Sequence, residues 1–405
     1  MARPLVYFEA AELVSAWWGW QGPLEVQELA GYDDRNLKVV AAADGRAAVF
    51  KVHNVGDSVP EGQVAEAHNA LLAVLAAQGL PVPAALPVVD GSSTASDDDA
   101  LQPSPDGHTI RTQGADGKLH ACRMLTWLPG VLLVEAPKPL ELYRQLGALL
   151  GRVQRVLQGW DWESSGALRR PDFEWNVQHL VPTYVRLRAD LLALPGLDLP
   201  LLDAVVAHFA AATSAAEAAG QLRSALIHSD ANERNVLVDA AAAAAAAVAE
   251  RQQGSEAAAA ATAVASAAPV CVDDGNGRLP QPMITGLIDW GDACWQWLAS
   301  EVANCATYMM LLECNADDPL PAAAAVLAGF ESQLPLLPGE RALLRTLCMA
   351  RLAQSLSLGA RAAARDPSNA PYLLATQRHG WALLRRLWGM SDEQYQAAMS
   401  AGGAP

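Results

Sequence analysis

The run His228-Ser229-Asp230-Ala231-Asn232-Glu233-Arg234-Asn235 constrains this chain more than any other segment. It reads H-x-D-x-x-x-x-N, and the apolar triplets Ala225-Leu226-Ile227 and Val236-Leu237-Val238 flank it. A short hydrophobic strand, a polar loop and a second strand present an Asp and, five residues later, an Asn from one base. Phosphoryl transfer uses such a pair. The carboxylate accepts the proton of an attacking hydroxyl and the amide oxygen holds a magnesium ion, so both must converge on one γ-phosphate. Asp and Asn also cap turns in ordinary loops, so the run needs support from elsewhere in the chain.

Ile284-Thr285-Gly286-Leu287-Ile288-Asp289-Trp290-Gly291-Asp292 provides it. A second apolar strand ends in a carboxylate followed by an aromatic residue and a glycine, the pattern by which kinases place their other magnesium ligand. Magnesium prefers oxygen ligands and usually takes only one or two protein carboxylates beside substrate phosphates. Asn235 and Asp289 would supply that small set. Upstream, residues 24–29, 37–40 and 47–52 read as strands around turns at 31–34 and at Asp44-Gly45. Lys51 lies on the third, as the kinase lysine lies in V-A-I-K, where it holds the α- and β-phosphates. Residues 62–78 read as a helix with Ala65, Leu72 and Leu75 on one side. Glu66, fifteen residues after Lys51, is the expected ion-pair partner of that lysine, with Glu61 as the alternative.

H-x-D-x-x-x-x-N followed by I-D-W-G-D resembles the aminoglycoside phosphotransferase and choline kinase superfamily. Within it the nearer likeness is to the hydroxylysine kinase branch. That likeness is carried by H-S-D-A-N-E-R-N-V-L-V, by G-L-I-D-W-G-D, by P-Y-L-L-A-T-Q-R-H-G-W-A-L-L over residues 371–384, and by Tyr32-Asp33-Asp34-Arg35-Asn36. It spans roughly residues 20–90, 119–239 and 283–390. The resemblance implies an α+β, bilobal protein-kinase-like fold. Residues 1–127 would form a nucleotide-binding N-lobe, a small antiparallel β-sheet with one main helix, and residues 128–405 a mainly helical C-lobe with the catalytic and substrate-binding groups.

It also implies magnesium, ATP or GTP as phosphoryl donor, and an amino-bearing acceptor with a hydroxyl, 5-hydroxylysine foremost. Choline, ethanolamine, homoserine and aminoglycosides are the alternative acceptors. No G-x-G-x-x-G lies between the first two strands. The resemblance puts residues 32–36 there as the turn over the phosphates, with Tyr32 and Asn36 at its ends, and a tight turn can bind anions through backbone N–H groups. The resemblance makes Arg123-Met124-Leu125-Thr126-Trp127-Leu128-Pro129-Gly130 the hinge, with the main chain of Leu125 to Trp127 against the purine edge. A nucleotide-binding pseudokinase would lack at least one of Lys51, Asp230, Asn235 and Asp289; all four are present.

The net charge of −16 argues against a nucleic-acid surface, which needs clustered Lys and Arg. It suits a cationic substrate, and Asp292, Glu233 and Glu301 are candidates to meet its ammonium group. Glu301 could equally cap the helix that starts near Ser300. His228 is expected to pack behind its loop. Six cysteines show no C-x-x-C pair and read as reduced. No run approaches the roughly 20 apolar residues of a membrane span, and a cytoplasmic location without membrane or nucleic-acid partners is expected.

Residues 90–118, rich in Ser, Asp and Gly, and residues 240–282, with eight alanines at 240–247, read as surface insertions without catalytic roles. Helical spacing runs through 140–157, 199–219, 299–313, 320–335, 339–364 and 370–388. Trp17, Trp18 and Trp20 read as packing residues, and Trp295 either packs or lines the substrate cleft.

Overall fold

The computed structural model describes residues 10–59, 63–89, 102–114, 116–161, 166–249 and 283–401. Its N-terminal part comprises α1 (Ala10–Trp18), β1 (Leu24–Leu29), β2 (Arg35–Ala41), β3 (Ala47–Val52), α2 (Val64–Ala77), β4 (Gln102–Pro103), β5 (Thr109–Gln113) and β6 (Leu119–Thr126). The strands form one antiparallel sheet in the order β1-β2-β3-β6-β5, with the two-residue β4 at its edge.

Alternation sorts the two faces of this sheet. Leu37, Val39 and Ala41 of β2 and Ala48, Phe50 and Val52 of β3 bury against Trp17 and Trp18 of α1 and against Trp20. The three tryptophans therefore pack, as expected, and Trp18 meets Phe50 edge-on at 5.7 Å between centroids. Asn36 and Lys51, paired across the β2–β3 ladder, belong to the opposite parity. So does Arg123, which faces Lys51 across β3–β6 and donates to Asn69 of α2 at 2.8 Å.

The stretch 90–118 is only partly an excursion. Its segment 109–113 is strand β5, in register with β6 from Thr109↔Arg123 to Gln113↔Leu119. Thr-Ile-Arg-Thr-Gln has one apolar residue, Ile110, which is fully buried in the α1 core. Composition could not separate so polar a strand from a loop.

The C-lobe holds β7 (Val131–Leu132), α3 (Leu140–Leu157), α4 (Leu180–Leu192), α5 (Leu199–Ala218), β8 (Ser224–Ile227), β9 (Val236–Val238), α6 (Ala240–Ala249), β10 (Ile284–Leu287), β11 (Cys294–Trp297), α7 (Ala299–Met310), α8 (Leu320–Glu331), α9 (Pro338–Ala342), α10 (Leu344–Arg365), α11 (Ala370–Leu373), α12 (Gln377–Trp388) and α13 (Asp392–Ala401). A bilobal, protein-kinase-like α+β architecture results, with a sheet-rich N-lobe and a mainly helical C-lobe.

All six helical patterns fold as helix, although the 339–364 and 370–388 patterns each break into two helices. The alanine run is a defined helix. Asp239 Oδ1 accepts the N–H groups of Ala241 and Ala242 at its start, and Ala243 is fully buried. Alanine's helix propensity combines here with a cap and a packed face. Residues 250–282 lie outside the described residues.

Helices α3 and α8 lie backbone to backbone. A Cβ on Gly147 would stand 1.9 Å from the carbonyl oxygen of Val326, and one on Gly329 would stand 1.9 Å from that of Arg144. Among the described residues, α5 is the one helix long and apolar enough to cross a membrane. It packs on α4 and α10 and buries Leu202, Val205, Val206 and Phe209. Cys122, Cys294, Cys305, Cys314 and Cys348 are free thiols, and Cys271 lies outside the described residues.

Candidate active site

Two hairpin-like pairings bring distant loops together. β8 pairs with β11 through Ile227↔Cys294, and β9 pairs with β10 through Val236↔Leu287. The loop between β8 and β9 and the loop between β10 and β11 are thereby neighbours, and Ile288 donates its N–H to the Asn235 carbonyl at 2.8 Å. Asp230, Asn235 and Asp289 line one cleft with Lys51.

The loop rests on a buried polar base. His228 is fully buried. Its Nε2 bonds the Ile288 carbonyl at 3.0 Å, Asp230 donates its N–H to Nδ1 at 3.2 Å, and the ring meets Trp290 edge-on at 4.5 Å. Burial pushes the imidazole down to about 4, so it is neutral and structural, as expected. Ser229 and Asp289 both have left-handed backbone, φ 72° and 55°. Such residues cost about 1–3 kcal/mol and persist only where the surroundings over-determine them. Gln296 donates to Ser229 Oγ at 2.9 Å, Asn304 donates to the Ser229 carbonyl at 2.8 Å, and Lys51 holds the Asp289 carboxylate.

Glu301, a candidate for the substrate's ammonium group, lies beneath the loop instead. It is fully buried in the first turn of α7. Its Oε2 accepts the His228 N–H at 2.6 Å and the Gln154 amide at 3.3 Å. It does not cap its own helix, because its acceptor faces β8. Burial raises its carboxyl from 4.5 to about 7.

A folded-state pKa raised in this way adds stability that is complete below the unfolded value and is lost as pH rises through the folded value. Between pH 5 and 8, wild type should therefore lose roughly 3 kcal/mol of stability relative to Glu301→Gln, which cannot ionise. Thermal melts of both proteins across that range check this. A pH-independent difference would mean that Glu301 titrates normally.

Asp230 is gripped on both oxygens. Arg351 of α10 donates to Oδ1 at 2.9 Å, while the side-chain amides of Asn232 and Asn235 donate to Oδ2 at 2.9 and 2.8 Å. Burial pushes its carboxyl up and Arg351 opposes the shift. Asn235 also donates to the Asp230 carbonyl at 2.9 Å. Asp292 faces the same cleft, and burial with the nearby Asp230 raises it to about 8. Glu233 lines the cleft as well, its carboxyl pushed up by burial.

On the N-lobe side, Lys51 Nζ bridges Asp289 Oδ1 and Asp34 Oδ2, both at 2.9 Å. Lys51 is 4% exposed. Burial alone would lower its pKa, but Asp289 and Asp34 outweigh burial and hold it charged above its usual value. The expected Lys51–Glu66 ion pair is replaced. Glu66 Oε1 meets Arg111 of β5 at 2.6 Å. The strand that looked like a loop puts a guanidinium beside Glu66, and the β1–β2 turn puts Asp34 beside Lys51. Asn54 fixes Asp34 by donating its backbone and side-chain N–H to Oδ1 at 2.8 and 2.9 Å. Glu61 lies outside the described residues.

The β1–β2 turn reaches across to the C-lobe. The Tyr32 hydroxyl donates to the Leu358 carbonyl of α10 at 3.4 Å, and its ring meets Trp175 edge-on at 5.6 Å. Tyr32 and Asn36 both line the cleft. Leu125 is buried on β6, opposite Val49. Trp127 is exposed just past the end of β6, under Lys38 Nζ at 4.2 Å from the ring centroid. Both sit where β6 leaves the sheet, outside the cleft that holds Asp230. Trp295 lies in β11 below Arg169 and does not line that cleft.

The profile of the APH phosphotransferase enzyme family matches residues 25–248, more than half of the 405-residue chain. The chain belongs to this phosphotransferase family. It is a small-molecule kinase acting on a hydroxyl group and drawing on a nucleotide phosphoryl donor.

Among curated relatives, the hydroxylysine kinase of Bos taurus is 26% identical over 373 residues, covering 90% of this chain and 85% of the relative. That of Mus musculus is 26% identical over 392 residues, covering 95% and 90%. Among solved structures, a microcompartment-associated aminopropanol kinase superposes with a TM-score of 0.57 at 16% identity, covering 95% of this chain and 98% of its own. That likeness concerns the fold.

Three residues of this phosphotransferase site escape a reading of local motifs. Asp34 sits inside the quoted Tyr32–Asn36 segment, and its acidity beside a turn was the available signal. Arg170 joins Asp57 of the N-lobe, at 2.7 Å, to the Gly291 carbonyl of the C-lobe. Arg351 reaches Asp230 from 121 positions away. Neither arginine carries a local pattern.

Proposed function

We propose that this phosphotransferase moves the γ-phosphoryl of ATP or GTP onto the hydroxyl of an amino-bearing metabolite, 5-hydroxylysine. The observation that carries the reading is the convergence of Lys51, Asp230, Asn235 and Asp289 on one cleft that Asp292 and Glu233 also line. Asp230 orients the hydroxyl and takes its proton. Lys51 holds the donor's phosphates, with Asp34 in the positioning role first given to Glu66. Tyr32 and Asn36 border the phosphates, and the main chain near Leu125 and Trp127 meets the base. Asp292 and Glu233 receive the ammonium groups.

The donor set at the head of the cleft suits magnesium. Both amide hydrogens of Asn235 are used on Asp230, so its oxygen is free to bind a cation, and Asp289 keeps the carboxylate oxygen that Lys51 does not take. Two oxygen donors match a hard ion that keeps phosphate and water ligands. When bound, magnesium neutralises charge on the transferring phosphoryl group. The protein's share is positioning and fixed electrostatics.

The hydroxylysine kinase relatives, similar over most of their length, support the acceptor. The free thiols fit a cytoplasmic setting. We take residues 1–127 as the nucleotide-binding unit and 128–405 as the catalytic one.

A coupled assay of ATP and GTP against 5-hydroxylysine, ethanolamine, choline, homoserine and kanamycin tests the proposal. Turnover should be strong with 5-hydroxylysine and at least about tenfold weaker with each of the others, a gap of 1.4 kcal/mol. A preference for another acceptor moves the enzyme to that kinase class. Nucleotide binding without turnover of any acceptor would make it a pseudokinase.

A further inference from the structure

Arg351 poses a problem that the roles above leave unsolved. It touches the proposed proton acceptor, and a cation paired with a carboxylate lowers its basicity. It also lines the cleft of an enzyme proposed to bind ammonium groups, which it repels. Yet the side chain is built in firmly. It is 1% exposed and lies against the rings of Trp175 and Tyr308 at 4.8 and 5.3 Å from their centroids.

Its Nε donates to the Tyr308 hydroxyl at 3.1 Å. Nη1 donates to Gln354 Oε1 at 3.2 Å and to the Trp175 carbonyl at 3.4 Å. Nη2 donates to Asp230 Oδ1 at 2.9 Å. A guanidinium has five N–H donors. These four contacts leave the second hydrogen of Nη2, the nitrogen beside the point where the acceptor's hydroxyl must sit.

A simple amino alcohol brings a hydroxyl and a positive charge to this site and offers Arg351 nothing. A hydroxy amino acid brings a carboxylate as well, an anion to which the remaining Nη2 hydrogen can donate a charge-assisted hydrogen bond. The cleft offers groups of both signs: Asp292 and Glu233 line it, and Arg351 is the buried cation next to Asp230.

We propose that Arg351 binds the carboxylate of the acceptor, so that the site selects hydroxy amino acids over the amino alcohols left when the carboxylate is removed. This rests on the kinase reading above but not on 5-hydroxylysine itself.

Matched pairs test it: 5-hydroxylysine against 1,5-diaminopentan-2-ol, threonine against 1-aminopropan-2-ol, and serine against ethanolamine. For whichever pair is turned over, wild type should favour the carboxylated member in kcat/KM by at least about 100-fold, as for a desolvated charge pair. Arg351→Met should bring that ratio near one, mainly through KM for the carboxylated member, and Arg351→Lys should keep part of it.

Melting curves and nucleotide titration confirm that the variants fold. If Arg351→Met does not, the wild-type ratio and Arg351→Lys decide. A wild-type ratio near one, or a preference for the amino alcohol, overturns the proposal. So does a kcat/KM ratio that stays at its wild-type value in Arg351→Met and Arg351→Lys, whatever happens to kcat through Asp230. Turnover of threonine or serine but not 5-hydroxylysine overturns the acceptor named above and supports Arg351's role. Turnover of no pair overturns both.

Discussion

Asp230→Asn is expected to lower kcat roughly 10²–10⁴-fold, the usual share of a positioned general base, with the Kd for nucleotide nearly unchanged. Asparagine fills the same space but cannot take a proton from the acceptor hydroxyl. It also cannot satisfy its surroundings. Arg351 donates to one oxygen of Asp230, and Asn232 and Asn235 donate to the other. Whichever way the new amide turns, its NH₂ faces a donor, so some stability should be lost as well. A single-turnover assay beside a fluorescent-nucleotide titration separates the two effects. Near-normal turnover would falsify Asp230 as the proton acceptor.

Lys51→Met should do comparable damage by another route. The variant removes the buried cation that holds Asp34 and Asp289, each 2.9 Å away. Losing one preorganised donor to a transferring phosphoryl group costs about 10²–10³-fold in kcat, and the KM for nucleotide should rise with it. Asp34, a buried carboxylate left without its counter-ion, should lower stability by about 3 kcal/mol, while Asp289, whose side chain is 43% exposed, can turn to water. Asp34→Asn added to Lys51→Met should restore part of the melting temperature and none of the activity. Glu66→Gln is the control. Glu66 belongs to Arg111, so kcat should stay within a few-fold of wild type. A loss as large as that of Lys51→Met would return Glu66 to the lysine.

Much of the site was legible because its pieces are local. The five-residue offset between Asp230 and Asn235 is a property of one loop, and the side-chain amide of Asn235 lies 2.8 Å from Asp230 as that offset requires. Asp289 closes a strand, and strand ends hold residues in place with few degrees of freedom. Lys51 has the parity opposite to Ala48, Phe50 and Val52, which follows from β geometry alone. Helices with a clear apolar stripe were equally readable. Strand β5 was not, because one buried isoleucine among polar residues has no periodicity to detect.

Sequence alone therefore determined the strongly patterned elements, their order, and the motif residues brought to the cleft. It could not determine which charge meets which. Asp34 rather than Glu66 holds Lys51, Glu301 supports the loop from below instead of facing substrate, and Arg351 crosses 121 positions to Asp230. These choices are made by burial. A charge taken out of water must find its partner among the groups that the packed lobes place within about 3 Å, and that neighbourhood exists only once the lobes are assembled.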